Sequence, residues 1–459
     1  MFIGRQSELR DLNSIYASGK FECVILHGRL RMGKTSLLRE FMRDKNCIYF
    51  AASETSDREN LDALISCVEA YPFTPEDEPK LKNYYEEVLE RIVKISAESR
   101  VALIIDEYQY MVSANKDISN LICRFIDTKL INGQLMLILC GSSDAVMESE
   151  TLGYSGIFHG RRTSQLELEP FSFFDVKRHY SNFSPEDVAI IYGITGGIPK
   201  YLNMMNPELS AEENIMETFF NPSSELFEEP ENFLRREVRD PSYYNAILKA
   251  MAKGLRKNSE IASAVGIETS ACTAYLKNLI SYGIVSKHTP VSERAGKKTI
   301  YEIDDSMFLF WYRFVPDNVS LIHSGQVSKR WRDVATSIPA YMGRVFEDIC
   351  RQWVEKRNSS VKFPVRFVEV GRWWGTDVIS KSDTIIPIVA YSDDDDHALF
   401  GDAFWSNEPV NADALRSLEE RSRLFRFSNR MLFLFSRSGF TDECAELAVK
   451  IGANLVMFE

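Results

Sequence analysis

Residues 23–40, "CVILHGRLRMGKTSLLRE", constrain the fold more than any other stretch of the chain. A short apolar run, Cys23–Leu26, leads into Gly28, four further residues, then Gly33-Lys34-Thr35 and the helical pattern "SLLREFM". A strand before this spacing and a helix after it form the context in which it cradles phosphate. Gly28 and Gly33 let the backbone curl so that successive N–H groups face one anion, and the helix adds its positive N-terminal end. Gly28, Arg29, Arg31, Met32, Gly33, Lys34, Thr35 and Ser36 are therefore expected to hold a nucleoside triphosphate. Lys34 would reach the β- and γ-phosphates and the Thr35 hydroxyl would bind Mg²⁺.

A second element fits the same chemistry. "RVALIIDEYQYM" (100–111) reads as a buried strand ending in Asp106-Glu107. Asp106 is expected to hold Mg²⁺ through water, and Glu107 to orient and deprotonate an attacking water. "CIYFAAS" (47–53) and "QLMLILCGSS" (134–143) are further strand candidates, the latter ending in Gly141-Ser142-Ser143. Hydroxyls there, Ser142 first, suit a sensor of the γ-phosphate or the water. Apolar strands alternating with helical stretches imply an α/β fold, a parallel sheet covered by helices on both faces, with ligands at the strand C-terminal ends.

The remaining length demands more than one core. At 459 residues, two to four domains are expected. The net charge of −12 disfavours a wholesale polyanion binder while leaving room for one basic module. Apolar runs such as "LMLILC" are far too short to span a bilayer, and polar residues come too early in "MFIGRQSELR" for a signal peptide. Eight scattered cysteines without a CxxC pair suit reduced core positions rather than disulfides or zinc. A cytoplasmic protein is the expectation.

The chain resembles the archaeal-type P-loop ATPases, relatives of the AAA+ and STAND signal-transduction NTPases. The motifs that carry the resemblance are "FIGRQSEL" (2–9), "GRLRMGKTSL", "LIIDEYQYM", "LCGSS", "FHGRRTSQLELEPFSF" (158–173) and "GGIPKYL" (196–202). It implies ATP and Mg²⁺ as ligands, Arg5 flanking the nucleotide, and Arg161 or Arg162 as an arginine finger. It also implies Gly197 and Pro199 in a helical lid over the base. A planar guanidinium suits charge on a transferring phosphoryl group. A surface ion pair is the alternative role for either Arg161 or Arg162.

Beyond the lid, "NPSSELFEEPEN" (221–232) reads as a linker. "YYNAILKAMAKG", "NSEIASAVG" and "ETSACTAYLKNLISYGIVSK" then give three helical patterns, followed by two strand-like runs joined by "SERAGK", a winged helix-turn-helix layout. Residues 243–303 carry nine Lys/Arg against four acids. Local positive charge is the footprint of phosphate contact, and Lys277, Arg294, Lys297 and Lys298 are the candidates for double-stranded DNA. The third helix begins "ETSACTAY", with no side chain suited to reading bases. A packing module or the hinge of a nucleotide switch is the competing role.

From about residue 335 the pattern is helix, three strands, helix, strand, helix, strand. This part resembles the C-terminal domain that accompanies the ATPase family, with a restriction-endonuclease-like fold. That chemistry needs a carboxylate on one strand and acid-x-Lys on the next, where residues i and i+2 share a face. The resemblance places a helix glutamate at Glu347, the strand aspartate at Pro387, and acid-x-Lys on Asp402-Ala403-Phe404. Two of the four groups are missing, so nuclease activity is expected to be lost, unless Asp377, Lys381 or Asp383 substitutes from a shifted position. Proline also pushes its strand toward an edge or a bulge. The run Asp393–Asp396 lacks a calcium-loop glycine and reads as a solvated turn.

The expected organisation is an ATPase core over 1–165, a lid and linker over 166–235, a winged helix over 236–318 and a nuclease-like domain over 330–459. The expected function is Mg-dependent ATP hydrolysis coupled to binding of DNA or of a protein at the C-terminal domain. A slow nucleotide-gated switch and an ATP-dependent nuclease are the alternatives.

Overall fold

The computed structural model describes residues 4–72, 80–82, 84–142, 147–153, 156–291, 298–377, 381–393 and 396–459. The chain forms two compact units, Met1–Phe171 with Ile198–Lys200, and Ser172–Gly197 with Tyr201–Glu459.

The first unit contains α1 (Gln6–Ala17), β1 (Glu22–His27), α2 (Lys34–Met42), β2 (Cys47–Ala51), α3 (Asp57–Glu69) and α4 (Tyr85–Glu98). It continues with β3 (Val101–Asp106), α5 (Tyr108–Ala114), α6 (Ile118–Phe125), β4 (Leu135–Gly141) and β5 (Ser164–Glu167). The strands run parallel in the order β2-β3-β4-β1-β5. β1, β3 and β4 are buried along their whole lengths, as parallel strands covered on both faces must be. His27 is in register with Gly141, and Ile105 with Leu139. The chain therefore leaves β1, β3 and β4 at one end of the sheet, bringing the phosphate loop, Asp106-Glu107 and Ser142 to a common edge. Gly28 is required there by contact: a Cβ would lie 2.6 Å from the Leu168 carbonyl oxygen.

The second unit opens with the helices Phe173–His179, Pro185–Thr195 and Ala211–Phe219, each capped by a serine that accepts from a backbone N–H. Residues 221–232 are not a linker. Ser224 caps a helix over Glu225–Glu237 that buries Leu226, Phe227, Phe233 and Leu234. Its glutamates and Pro230 suggested a linker, but apolar residues one and two turns apart fall on one helical face and outweigh them. The Trp311 indole donates to the Phe227 carbonyl at 2.7 Å and fixes the first turn.

Helices Pro241–Ala252, Asn258–Val265 and Thr269–Ser281 follow, then the antiparallel pair β6 (Val285–His288) and β7 (Ile300–Ile303). Ser306–Phe314 is a helix buried on nearly every side, and Val327–Ser359 is a helix of 33 residues. The last sheet holds β8 (Phe367–Thr376), β9 (Asp383–Ser392), β10 (His397–Phe404), β11 (Asn429–Ser436) and β12 (Asn454–Met457). Its order is β12-β11-β10-β9-β8. β9 runs antiparallel to both β8 and β10, and β10, β11 and β12 are parallel. β9 is thus an interior strand, and Pro387 falls in the register shift where Gly371 pairs Val389 but Trp373 pairs Ile386. The proline is accommodated by the bulge, since it has no N–H for the ladder.

The long helix joins these parts of the second unit. Tyr341 donates to the Gly193 carbonyl at 2.6 Å, and Gln352 donates to both Tyr192 and Asp348. Arg351 donates to the Pro387 carbonyl at 3.0 Å. All eight cysteines are free, and six are buried. No helix among the described residues is long and apolar enough to cross a membrane.

Candidate active site

The phosphate loop hangs between β1 and α2, with Gly33 in the left-handed region at the helix start and Arg31 also left-handed at φ 75°. Lys34 is buried, and its ammonium donates to the carbonyls of Gly28 at 2.7 Å and Arg29 at 3.1 Å. The lysine therefore bridges the curl of the loop from within. Met32 turns its side chain into the core and offers its carbonyl to Arg5 at 3.2 Å. Ser36 is exposed on the first turn of α2.

Arg5 is 8% exposed and takes three partners, the Met32 carbonyl, the Glu169 carbonyl at 2.6 Å and Glu8 at 2.9 Å. Its guanidinium also lies 4.5 Å from the centre of the Phe171 ring, a cation–π contact. It clamps the phosphate loop to the segment after β5. Pro199 packs beside the loop, its Cβ 3.7 Å from where a Gly33 Cβ would stand, and Lys200 N–H donates to the Arg31 carbonyl.

The carboxylates sit opposite. Thr35 Oγ1 donates to Asp106 Oδ2 at 2.9 Å, as does the Tyr49 hydroxyl, and Glu107 N–H donates to Asp106 Oδ1 at 3.0 Å. Burial and the adjacent Asp106 push the Tyr49 phenol above its ordinary range, which keeps it a donor. A hydroxyl and a carboxylate in contact, both held by neutral groups, are a donor set suited to Mg²⁺, a hard cation that takes oxygen ligands and waters. Glu107 adopts φ 53°, left-handed, at the start of α5. Gln109 Nε2 donates to Glu107 Oε2 at 2.5 Å and to Ser142 Oγ at 3.2 Å. Sequence reasoning missed Tyr49 and Gln109. The signal for Gln109 was a lone amide within the buried run "YQYM"; for Tyr49 it was a phenol in the strand that pairs with β3.

The two candidate finger arginines are each engaged by other groups of this unit. Arg161 forms a two-pronged pair with Asp127, both N–O distances 2.8 Å, and donates to the Ile157 carbonyl. Arg162 donates to the Thr151 carbonyl. Ser143 lies outside the described residues.

The second candidate centre is in the C-terminal sheet. Asp402 on β10 stands beside Pro387, since Gly401 pairs Ile388. Its carboxylate is clasped by Arg421 of the Ala412–Ser422 helix, through Nη1 at 3.2 Å and through Nη2, and Arg421 also donates to the Ile385 carbonyl. Burial pushes Glu347 above its ordinary range, with Arg351, Arg372 and Arg344 opposing and Asp402 adding to the rise. Asp383 begins β9 four residues before Pro387, roughly 13 Å along an extended strand. Asp377 and Lys381 belong to the turn before it. Of the aspartate run, Asp394 and Asp395 are outside the described residues, and Asp396 accepts from Asn429.

The β6–β7 pair is docked against this sheet. Val291 N–H donates to the Arg372 carbonyl, Trp374 donates to the Lys298 carbonyl, and the Lys298 ammonium lies 5.5 Å from the centre of the Trp373 ring. Glu302 of β7 pairs with Arg256 at 3.0 Å, Arg344 at 3.2 Å and Arg372 at 2.8 Å. Burial alone would raise its carboxyl, but the three guanidinium charges prevail and hold it down at about 2. Lys277 is exposed on the Thr269–Ser281 helix; Arg294 and Lys297 lie outside the described residues.

A phosphate loop on β1, a hydroxyl–carboxylate pair and a glutamate at the end of β3, on a five-stranded parallel sheet, define the core of a P-loop ATPase. Residues 2–205 match the family described as an ATPase domain predominantly from Archaea. Residues 311–418 match a second family, described as archaeal and bacterial proteins of unknown function. An uncharacterised protein of Methanocaldococcus jannaschii is 29% identical over 417 residues, covering 89% of this chain and 88% of that one. An uncharacterised ATP-binding protein of the same organism is 40% identical over 45 residues, 10% of this chain and 76% of that protein. Among solved structures, the Walker-type ATPase of Pyrococcus abyssi is similar with a TM-score of 0.53 and 20% identity, covering 68% of this chain and 96% of that one. That similarity supports the fold alone.

Proposed function

We propose that the chain binds ATP with Mg²⁺ and hydrolyses it, and that nucleotide state governs binding of a macromolecular partner. The observation that carries the hydrolytic reading is the Thr35–Asp106 contact, with Glu107 beside it and Lys34 across the loop. In this reading Lys34 and the loop N–H groups bind the β- and γ-phosphates. Thr35 and Asp106 would hold the metal, which supplies charge neutralisation of the phosphates. Glu107 orients the attacking water and takes its proton, and Ser142 senses the γ-phosphate. Arg5 acts on the loop through the Met32 carbonyl. Pro199 belongs to the wall of the nucleotide site. Arg161 and Arg162 supply a finger only by exchanging their Asp127 and Thr151 partners for phosphate.

Residues 236–318 read as a winged helix. Its support for DNA contact rests on exposed Lys277, because Lys298 is engaged with Trp373. The clasp of Arg421 on Asp402 supports a C-terminal sheet that binds a partner rather than cleaving nucleic acid. ATP turnover with Mg²⁺, with and without duplex DNA, at low salt and at about 200 mM salt, tests this reading. Salt-sensitive stimulation by DNA supports a nucleic-acid partner; turnover indifferent to DNA directs the reading to a protein partner. Absence of any Mg-dependent turnover overturns the hydrolytic reading.

A further inference from the structure

We propose that Gln109 is the positioning residue for Glu107, holding its carboxylate through the side-chain amide and linking it to Ser142 at the end of β4. The proposal rests on the reading of Glu107 as the group that activates water.

Three observations converge on it. The Gln109 amide nitrogen spans two elements, donating to Glu107 Oε2 on one side and Ser142 Oγ on the other. The opposite amide orientation would set a carbonyl oxygen against a carboxylate, so the nitrogen is assigned by its partners. Gln109 is 5% exposed, and its Oε1 has no hydrogen-bond partner among the described residues. Burying an amide oxygen without a partner is unfavourable, so the side chain is held by what its nitrogen does. The third observation is the room made for it. A Cβ on Gly141 would lie 2.5 Å from Gln109 Oε1 and 2.7 Å from Met147 Sδ, so glycine at the end of β4 admits the amide.

Glu107 itself sits in left-handed backbone, which is unfavourable for a non-glycine residue. A strained residue persists where its surroundings over-determine it, and the Gln109 bond supplies that determination. Because Ser142 accepts from the second N–H of the same nitrogen, a shift of Ser142 toward a γ-phosphate would remove one of the two anchors of the amide and so alter the placement of the Glu107 carboxylate. Gln109 touches neither nucleotide nor water in this scheme; it acts through Glu107.

The test is a double-mutant cycle on the full chain, with ATP turnover and equilibrium binding of a fluorescent ATP analogue as separate readouts. Gln109→Met keeps the buried volume and removes the donor; Gln109→Glu keeps the shape and is the second variant if the first does not fold. Either is expected to lower kcat about ten- to a hundredfold, the scale of a hydrogen bond to a charged group. KM and analogue affinity should stay within about twofold. Added to Glu107→Gln, the same change should have almost no further effect, because both act on one carboxylate. A Gln109 variant turning over at the wild-type rate while Glu107→Gln is slow overturns the positioning role alone. So does full additivity, or a loss of analogue affinity matching the loss in kcat/KM. Wild-type turnover in Glu107→Gln itself removes the base reading and this proposal with it.

Discussion

Asp106 at the end of β3 and Asp402 on β10 are both nearly buried carboxylates on strands, and they are used in opposite ways. Asp106 is held by two hydroxyls and a backbone N–H, all neutral donors. Its charge is oriented by neutral groups, and in the proposed reading a cation would complete it. Asp402 is held by the Arg421 fork, so its charge is already matched. The difference teaches that a carboxylate is marked as chemical or structural by the charge of its partners more than by its own burial. It also explains how a buried aspartate can be kept on a strand in a structural role.

The contrast can be broken most directly at the phosphate loop. Lys34→Ala is expected to reduce ATP turnover by about a thousandfold or more, the scale of a lost charge clamp on a transferring phosphoryl group; turnover near wild type would end the assignment. Glu107→Gln should retain nucleotide binding in equilibrium titration while losing about a hundred- to a thousandfold in kcat, within the range for general-base removal. At the other carboxylate, Arg421→Ala leaves Asp402 buried and unmatched. A loss of about 3 kcal/mol in denaturant unfolding is expected, with ATP turnover unchanged. Stability equal to wild type would mean that the Arg421 fork does not balance the charge of Asp402.

Glu302 sharpens the same comparison through pH. Its carboxyl is held at about 2, below the ordinary 4.5, by Arg344, Arg372 and Arg256 against the opposing effect of burial. A depressed carboxylate contributes its stability above the unfolded value and loses it as pH falls through the folded one. The wild-type protein should therefore lose stability between about pH 4.5 and pH 2 by this group, and Glu302→Gln should flatten that part of the profile. At neutral pH the variant is expected to lose about 2 kcal/mol in thermal or denaturant unfolding, less than a fully buried pair. Arg256 and Arg344 are about one-third exposed. An unchanged acid limb would assign the hub no electrostatic weight.

The phosphate loop and Asp106-Glu107 were legible in the sequence because each motif is local: strand, turn and helix start lie within a dozen residues. The parallel sheet followed from apolar runs that carry no polar alternation. Gln109 was not legible, since its meaning depends on Ser142, which lies 33 residues further on. Arg421 escaped for the same reason, meeting Asp402 from a helix 19 residues away. The linker reading of residues 221–232 failed because Glu and Pro were weighed as composition, whereas Leu226, Phe227, Phe233 and Leu234 decided the structure by position. The nine Lys/Arg over 243–303 outnumber the four acids, but a count cannot show that Lys298 lies over Trp373, or that Arg256 serves Glu302.

The 33-residue helix Val327–Ser359 is about 50 Å long. It is bonded to Gly193 and Tyr192 through Tyr341 and Gln352, to Glu302 through Arg344, and to β9 through Arg351. A rod shared by three substructures makes their folding free energies inseparable. The second unit should give a single calorimetric transition, and a recombinant fragment that ends or begins between residues 236 and 359 would expose a face of this rod and fail to fold as an independent piece. The usable cloning boundaries of the protein are therefore set by one helix, not by the motifs on either side of it.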